Sequence, residues 1–335
     1  MTHLSIVVPV YKAGSTLRDL YRRIRDALAP LALEFELILV EDGGLDDSWD
    51  VIRELAQSDH RVKGIQHSRN FGQHNALLTG IRAARYDIVA TLDDDLQNPP
   101  EEIPRLLEHL AQGYDVVYGT PQREQHGFFR DAASQITKFA LQSAMGAETA
   151  RKVSAFRVFR TRLREAFADY QNPYVSIDVL LTWGTTSFAA CEVKHDPRTA
   201  GISNYNLAKL IRHAMNMITG FSVLPLQLAS LVGFALTLLG MGLLAYVLIG
   251  YLVHGSTVSG FPFLASVLAF FSGAQMFALG IIGEYLARMH LRSMGRPAAV
   301  VRERVGGTEG ATPVIAERLI GVSTAPVALT PDAQP

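Results

Sequence analysis

At 335 residues the chain has room for one large domain or two smaller ones. Its 31 Lys and Arg stand against 32 Asp and Glu, a balance that excludes the global basic field of a nucleic-acid binder. The single cysteine, Cys191, excludes an internal disulfide and suits a reducing compartment.

The N-terminus, MTHLSIVVPVYK, enters a strand-like run directly, without the basic, apolar and small-residue succession of a secretory signal. Leu4–Val10 is continuously apolar, and Ser15 can cap a helix carrying Leu17, Leu20, Tyr21, Ile24 and Leu28 at helical spacing. Phe35–Val40 reads as a second buried strand, with a helix from Asp47 to Ser58. Val62–Gln66 is a third, followed by a helix from Gln73 to Ala84. Ile88–Leu92 is a fourth, and Val116–Gly119 a fifth after the helix Glu101–Gln112. Wholly apolar strands alternating with helices predict an α/β fold with a mostly parallel sheet covered on both faces. Ligands of such sheets bind at the carboxyl ends of the strands, where the acidic clusters fall.

Gly127–Gly146 mixes Phe128, Phe129, Ile136, Phe139 and Leu141 with Arg130 and Lys138. Asn204–Ile218 sets Leu207, Leu210, Ile211 and Met215 beside Lys209, Arg212 and His213. Each fits a helix lying along a membrane surface, and each fits an amphipathic helix packed on a soluble head. Between Arg212 and Glu284 there is no Asp, Glu, Lys or Arg. A bilayer span needs about 20 apolar residues, so Gln227–Val253 and Phe261–Gly283 read as two spans joined by a short outer loop. Lys209 and Arg212 precede them, and Arg288, Arg292, Arg296, Arg302 and Arg304 follow. The positive-inside rule then places both ends in the cytoplasm, at the inner (plasma) membrane. The expected organisation is a head over 1–202, an interfacial helix over 203–226, spans over 227–253 and 261–283, and a basic flank with a disordered tail over 284–335.

Asp93-Asp94-Asp95 closes the fourth strand, ahead of Leu96-Gln97-Asn98-Pro99-Pro100-Glu101. Adjacent carboxylates repel one another and cost stability unless a cation neutralises them. Hard oxygen ligands suit Mg²⁺ or Mn²⁺, whose remaining ligands commonly come from substrate phosphates. In an extended segment Asp93 and Asp95 face one way and Asp94 the other, which makes the outer two the metal-facing pair. A solvated acidic turn before a helix fits the same residues. Glu41-Asp42-Gly43-Gly44 follows the second strand, where glycines let the backbone turn and an acid can accept bonds from a base or ribose, or Asp47 or Ser48 can simply cap the next helix. Asn70-Phe71-Gly72-Gln73-His74-Asn75-Ala76 enters a helix N-terminus, which can favour phosphate, and a lone His74 is more often structural.

Together these stretches resemble the family-2, GT-A-fold glycosyltransferases over nearly the whole chain. Val8-Pro9-Val10-Tyr11 is similar to that family's opening strand motif, Glu41-Asp42-Gly43-Gly44 to its nucleotide-recognising turn, and Asp93-Asp94-Asp95 to its D-x-D metal motif. The nearer likeness is to the polyprenyl-phosphate branch, which includes dolichol-phosphate mannose synthases, bacteriophage-type lipid-linked glucosyltransferases and undecaprenyl-phosphate aminoarabinose transferases. Arg69 through His74, Asp93 through Arg105 and Gly283-Glu284-Tyr285-Leu286 look most like the aminoarabinose type.

The resemblance implies a nucleotide-sugar donor, with UDP ahead of GDP, and a polyprenyl phosphate acceptor at the membrane. It implies Pro9, Tyr11, Asp42, Asp93, Asp94, Gln97 and Arg198 on the donor, and Asp93, Asp95 and Gln97 on the metal. Arg123, Arg130 and Ser134 would hold the acceptor phosphate, with Asp93, Asp95 and Arg130 as the catalytic set. Homo-oligomerisation through the membrane helices is implied in the same way. Three positions depart from the pattern. Lys12-Ala13 stands where Asn-Glu is usual, Glu41 and Gly44 replace Asp and Ser, and Ala155 replaces an Asp proposed as base in many relatives. A phosphate monoester is already largely dianionic at neutral pH, so such an acceptor can attack without a base. Rival readings are a catalytically silent membrane scaffold and a processive polysaccharide synthase. The latter carries Q-x-x-R-W, whereas neither Trp49 nor Trp183 follows an Arg. No G-x-G-x-x-G follows the first strand, which counts against a dehydrogenase.

Overall fold

A computed structural model describes residues 3–121, 153–172, 175–196, 224–254, 260–295 and 297–307. The five expected strands are present as β1 (Leu4–Val10), β2 (Phe35–Glu41), β3 (Val62–His67), β4 (Ile88–Thr91) and β5 (Val116–Pro121). Three more were not expected: β6 (Arg157–Arg160), β7 (Phe188–Val193) and β8 (Val301–Val305). They form one sheet in the order β7-β5-β6-β4-β1-β2-β3-β8. β1 pairs in parallel with both β2 and β4, β2 with β3, and β5 with β7, while β6 and β8 run antiparallel to their neighbours. The sheet is therefore mixed but mostly parallel.

Both faces are covered, because successive side chains of an apolar strand point to opposite sides. Leu4, Ile6, Val8 and Val10 of β1 join α1 (Gly14–Leu28), α2 (Ser48–Ser58) and α4 (Ile103–Ala111) in one core. Val7 joins Ile38, Val40, α3 (Gln73–Ala83) and α5 (Ile177–Thr182) in the other. α3 lies so close to β1 that a Cβ on Gly80 would sit 2.3 Å from Val7 Cγ1, so only glycine fits that crossing.

Ser15 is not the cap of α1. The helix starts at Gly14, and the loop before α2 serves its entrance: Ala13 N–H donates to Ser48 Oγ at 3.0 Å, and Gly14 N–H lies 3.5 Å from Asp46 Oδ2. Two long helices close the described chain, α6 (Leu224–His254) and α7 (Phe261–Ser293). Each is long and apolar enough to cross a bilayer, and among the described residues apolar side chains such as Leu231, Phe234, Phe277 and Leu279 stand exposed. α7 runs ten residues beyond the expected span and carries Arg288, which bonds Glu284 one turn back.

Arg302 and Arg304 are not a free basic flank. They belong to β8, which pairs with β3 from Gly64 to His67 and brings the chain after α7 back to the head's sheet. In β8 exposed and half-buried residues alternate, and Glu303 lies on the side of α2, where it accepts from Arg53 at 2.9 Å and from Trp49 Nε1 at 3.3 Å. The head's sheet thus extends past the expected 1–202 boundary. The expected helix over Gly127–Gly146, nearly all of 203–226 and the tail from 308 lie outside the described residues.

Candidate active site

β1 has β2 on one side and β4 on the other, so the chain order reverses between β4 and β1. Crevices at such a reversal, beyond the carboxyl ends of the strands, are where open α/β sheets bind ligands. Three segments emerge there: Tyr11-Lys12 after β1, Asp42–Gly44 after β2, and Leu92–Gln97 after β4. Pro9 stays in β1, paired with Val40 of β2.

The acidic segment is a turn and not an extended run, so strand alternation does not assign its carboxylates. Leu96 completes it in the left-handed region, at φ 61°. Asp94 Oδ2 accepts from the backbone N–H of Tyr11 at 2.9 Å, and the Asp94 carbonyl accepts from Thr16 Oγ1 at 2.8 Å. Asp95 Oδ1 accepts from Gln97 N–H at 3.2 Å, and the Gln97 carbonyl accepts from Asp196 N–H at 2.9 Å. Asp93 Oδ1 accepts from Gln73 Nε2 at 2.6 Å, at the start of α3. Burial pushes the Asp94 carboxyl up to about 7, against the lowering effect of the Tyr11 N–H, with Asp93 and Asp95 adding to the rise.

That excess of negative charge fits a divalent cation. Among the described residues no three His, Cys, Asp or Glu side chains converge into a ready-made cage, so the turn suits a metal completed by substrate phosphates. Tyr11 is 48% exposed, with the Lys12 ammonium 5.5 Å from its ring centroid.

Asp42 lies inside the protein at 2% exposure. Its Oδ1 bonds His67 Nδ1 at 2.9 Å and the Phe71 N–H at 2.9 Å, and its Oδ2 takes the Gly72 N–H at 2.7 Å. The amides at the entrance of α3, which the sequence offered to a phosphate, thus hold the chain's own carboxylate. Glu41 is also buried: Oε1 accepts from Gly44 N–H, Oε2 has no partner among the described residues, and burial raises its pKa. His74 Nδ1 accepts from the Ile177 N–H at 3.4 Å, at the start of α5.

Below the acidic turn sits a polar cluster that no local signal announced. Arg157, 1% exposed, bonds Asp178, donates from Nε to Thr91 Oγ1 at 3.0 Å, and stands near Tyr118, whose hydroxyl reaches Asp178 Oδ1 at 3.1 Å. Thr91 Oγ1 in turn donates to the Ala155 carbonyl at 2.9 Å, so the backbone at Ala155 abuts the strand that ends in the turn. Arg123, Arg130, Ser134 and Arg198 lie outside the described residues.

A mostly parallel sheet with an acidic turn at its reversal point is the architecture expected of a nucleotide-sugar transferase. Comparison with known proteins agrees. The sequence model described as Glycosyl transferase family 2 matches residues 5–170. Undecaprenyl-phosphate 4-deoxy-4-formamido-L-arabinose transferase of Pseudomonas aeruginosa (strain UCBPP-PA14) is 34% identical over 331 residues, covering 98% of both chains. The protein of the same name from Pseudomonas fluorescens (strain SBW25) is 35% identical, covering 96% of both. Among solved structures, glucosyl-3-phosphoglycerate synthase from Mycobacterium tuberculosis with Mn²⁺, UDP and phosphoglyceric acid is 18% identical, with a TM-score of 0.49 over 65% of this chain and 76% of that one. The chain belongs to glycosyl transferase family 2.

Proposed function

We propose that the protein transfers a sugar, with inversion, from a nucleoside diphosphate donor to a polyprenyl phosphate at the cytoplasmic face of the membrane. The observation that carries this reading is the acidic turn at the β4/β1 reversal, tied to the backbone of Tyr11. Tyr11 is exposed enough for a base or sugar to pack on, and Asp93, Asp95 and Gln97 would line the diphosphate, as the family resemblance implies. Mg²⁺ or Mn²⁺ bound by Asp93, Asp95 and Gln97 would neutralise the charge of the departing nucleoside diphosphate.

An oxygen of the lipid phosphate forms the new bond to the anomeric carbon as the bond to the diphosphate breaks. The acceptor is already dianionic near neutral pH, so no proton has to be removed and Ala155 is compatible with turnover. Positioning by Arg123, Arg130 and Ser134 on the acceptor and Arg198 on the donor is carried over from the family resemblance. Arginine suits those places because its fork grips two phosphate oxygens at once. α6 and α7 act as a membrane hairpin, which holds the head where a lipid acceptor can reach it.

Undecaprenyl phosphate is the acceptor in the relatives' names, and a UDP-sugar is the donor that the family resemblance implies. Their shared name makes 4-deoxy-4-formamido-L-arabinose the first sugar to test. Asp95→Ala in the full-length protein should abolish transfer while leaving the fold intact. Turnover retained in that variant, or in wild type with a chelator, contradicts the role given to the turn.

A further inference from the structure

We propose that Arg23 is a positioning residue of the acidic turn after β4: from α1 it clips Asp196 and Glu101 together, and so fixes the backbone from which Gln97 projects. This deepens the donor-site reading above and rests on it.

The turn needs a hold from outside, because its own backbone does not favour its shape. Leu96, between Asp95 and Gln97, sits at φ 61°, a left-handed region that a residue with a Cβ enters only at a cost. Such a conformation persists where the surrounding contacts over-determine it. One of those contacts is the Leu96 side chain, buried in the same core as Leu17, Leu20 and Ile24 of α1. The adjacent carboxylates of Asp93, Asp94 and Asp95 add mutual repulsion, which works against the turn until a cation arrives.

Gln97 is held by both of its backbone groups. Its N–H donates to Asp95 Oδ1 at 3.2 Å, a bond internal to the turn. Its carbonyl accepts from the Asp196 N–H at 2.9 Å, and Asp196 lies just past the end of β7. The segment that carries this residue of the turn is therefore only as well placed as Asp196.

Arg23 secures Asp196. Its Nη2 lies 3.6 Å from Asp196 Oδ2, and the same guanidinium donates from Nε and Nη2 to the two oxygens of Glu101, each at 2.8 Å. A two-point grip of that kind fixes direction as well as distance. It also holds the Glu101 carboxyl below the usual carboxylate range. Glu101 belongs to the short helical turn Pro100–Glu102, which leads from the acidic segment into α4. Arg23 thus joins the segment that follows Gln97 to the one that bonds its carbonyl. Thr16, two turns earlier on the same face of α1, donates to the Asp94 carbonyl at 2.8 Å. One helix face therefore grips the acidic segment at two places, and neither Arg23, Glu101 nor Asp196 is needed as a ligand.

The test is calorimetry on full-length protein in detergent, titrating Mn²⁺ with UDP present and UDP with metal absent. Wild type is compared with Arg23→Met, Asp196→Asn and the double variant, and urea unfolding midpoints are measured alongside. Each single variant should weaken Mn²⁺ affinity in the presence of UDP by about three- to fivefold, the scale of a partly exposed ion pair, and leave metal-free UDP affinity unchanged. The double variant should be no weaker than Arg23→Met, because both changes open the same clip. Wild-type Mn²⁺ affinity in either single variant overturns the proposal, and a lowered urea midpoint beside it would make the clip an element of the fold only. An equal loss of metal-free UDP affinity also overturns it, since the effect would then not be on the metal turn. Wild type that binds neither Mn²⁺ nor UDP overturns the donor-site reading itself, and the role of the clip with it.

Discussion

The backbone N–H of Tyr11 donates to Asp94 Oδ2 at 2.9 Å, joining the end of β1 to the acidic turn across 83 residues of sequence. Asparagine at 94 keeps an acceptor for that N–H and removes a carboxylate that burial disfavours, whereas alanine removes the acceptor. Asp94→Ala should therefore cost about 1 kcal/mol, and Asp94→Asn should be at least as stable as wild type in metal-free buffer near pH 8. Thermal unfolding of the three proteins checks the order.

The Arg157–Asp178 pair is enclosed between β6, β4 and α5, so removing one partner strands a charge in the core. Asp178→Ala should cost about 3–5 kcal/mol, enough to reduce the yield of folded protein. Tyr118→Phe loses a single bond to the same carboxylate and should cost about 1 kcal/mol. Urea unfolding followed by the fluorescence of Trp49 and Trp183 would separate the two.

Lys12 holds φ 56°, a left-handed conformation that a long side chain takes only at a cost. Lys12→Gly should raise stability by up to about 1 kcal/mol, the gain from relieving that strain less the added freedom of the unfolded chain. Asparagine, which tolerates the region, should give a smaller gain of the same sign. Their melting temperatures against wild type decide it.

Glu41 carries the opposite sign from a salt-bridged carboxylate. Burial raises its folded-state pKa above the ordinary 4.5, so its ionised form costs stability. The cost is fully present above the raised value and vanishes as the pH falls below 4.5. Glu41→Gln, which retains an acceptor for the Gly44 N–H, should stabilise the protein at neutral pH, with the gain shrinking as pH drops through that window. Denaturation midpoints at several pH values from 4 to 8 (a range set by the window) would show the convergence.

The same residues show why part of the molecule was legible in its sequence. β1 to β5 announce themselves as apolar runs because they are buried on both faces, and α1 to α4 as helical-period stripes. β6 reads Arg-Val-Phe-Arg, and the burial of Arg157 rests on Thr91, Tyr118 and Asp178, which are far from it in sequence. β8 reads Val-Arg-Glu-Arg-Val, and its basic residues beside an apolar helix imitate a membrane flank. Only its pairing with β3, more than 230 residues earlier, makes it a strand. The acidic turns were visible as chemistry. That Asp42 faces inward was not, because its partners His67, Phe71 and Gly72 sit 25 to 30 residues away.

The most direct measurement incubates purified full-length protein in detergent with Mn²⁺, undecaprenyl phosphate and a panel of UDP- and GDP-sugars. Released nucleoside diphosphate and new glycolipid would be scored together. The account predicts glycolipid from a UDP-sugar, formed one-for-one with released UDP and lost on chelation or with Asp95→Ala. Donor bound with no glycolipid from any sugar would contradict it and favour a silent scaffold of the same fold.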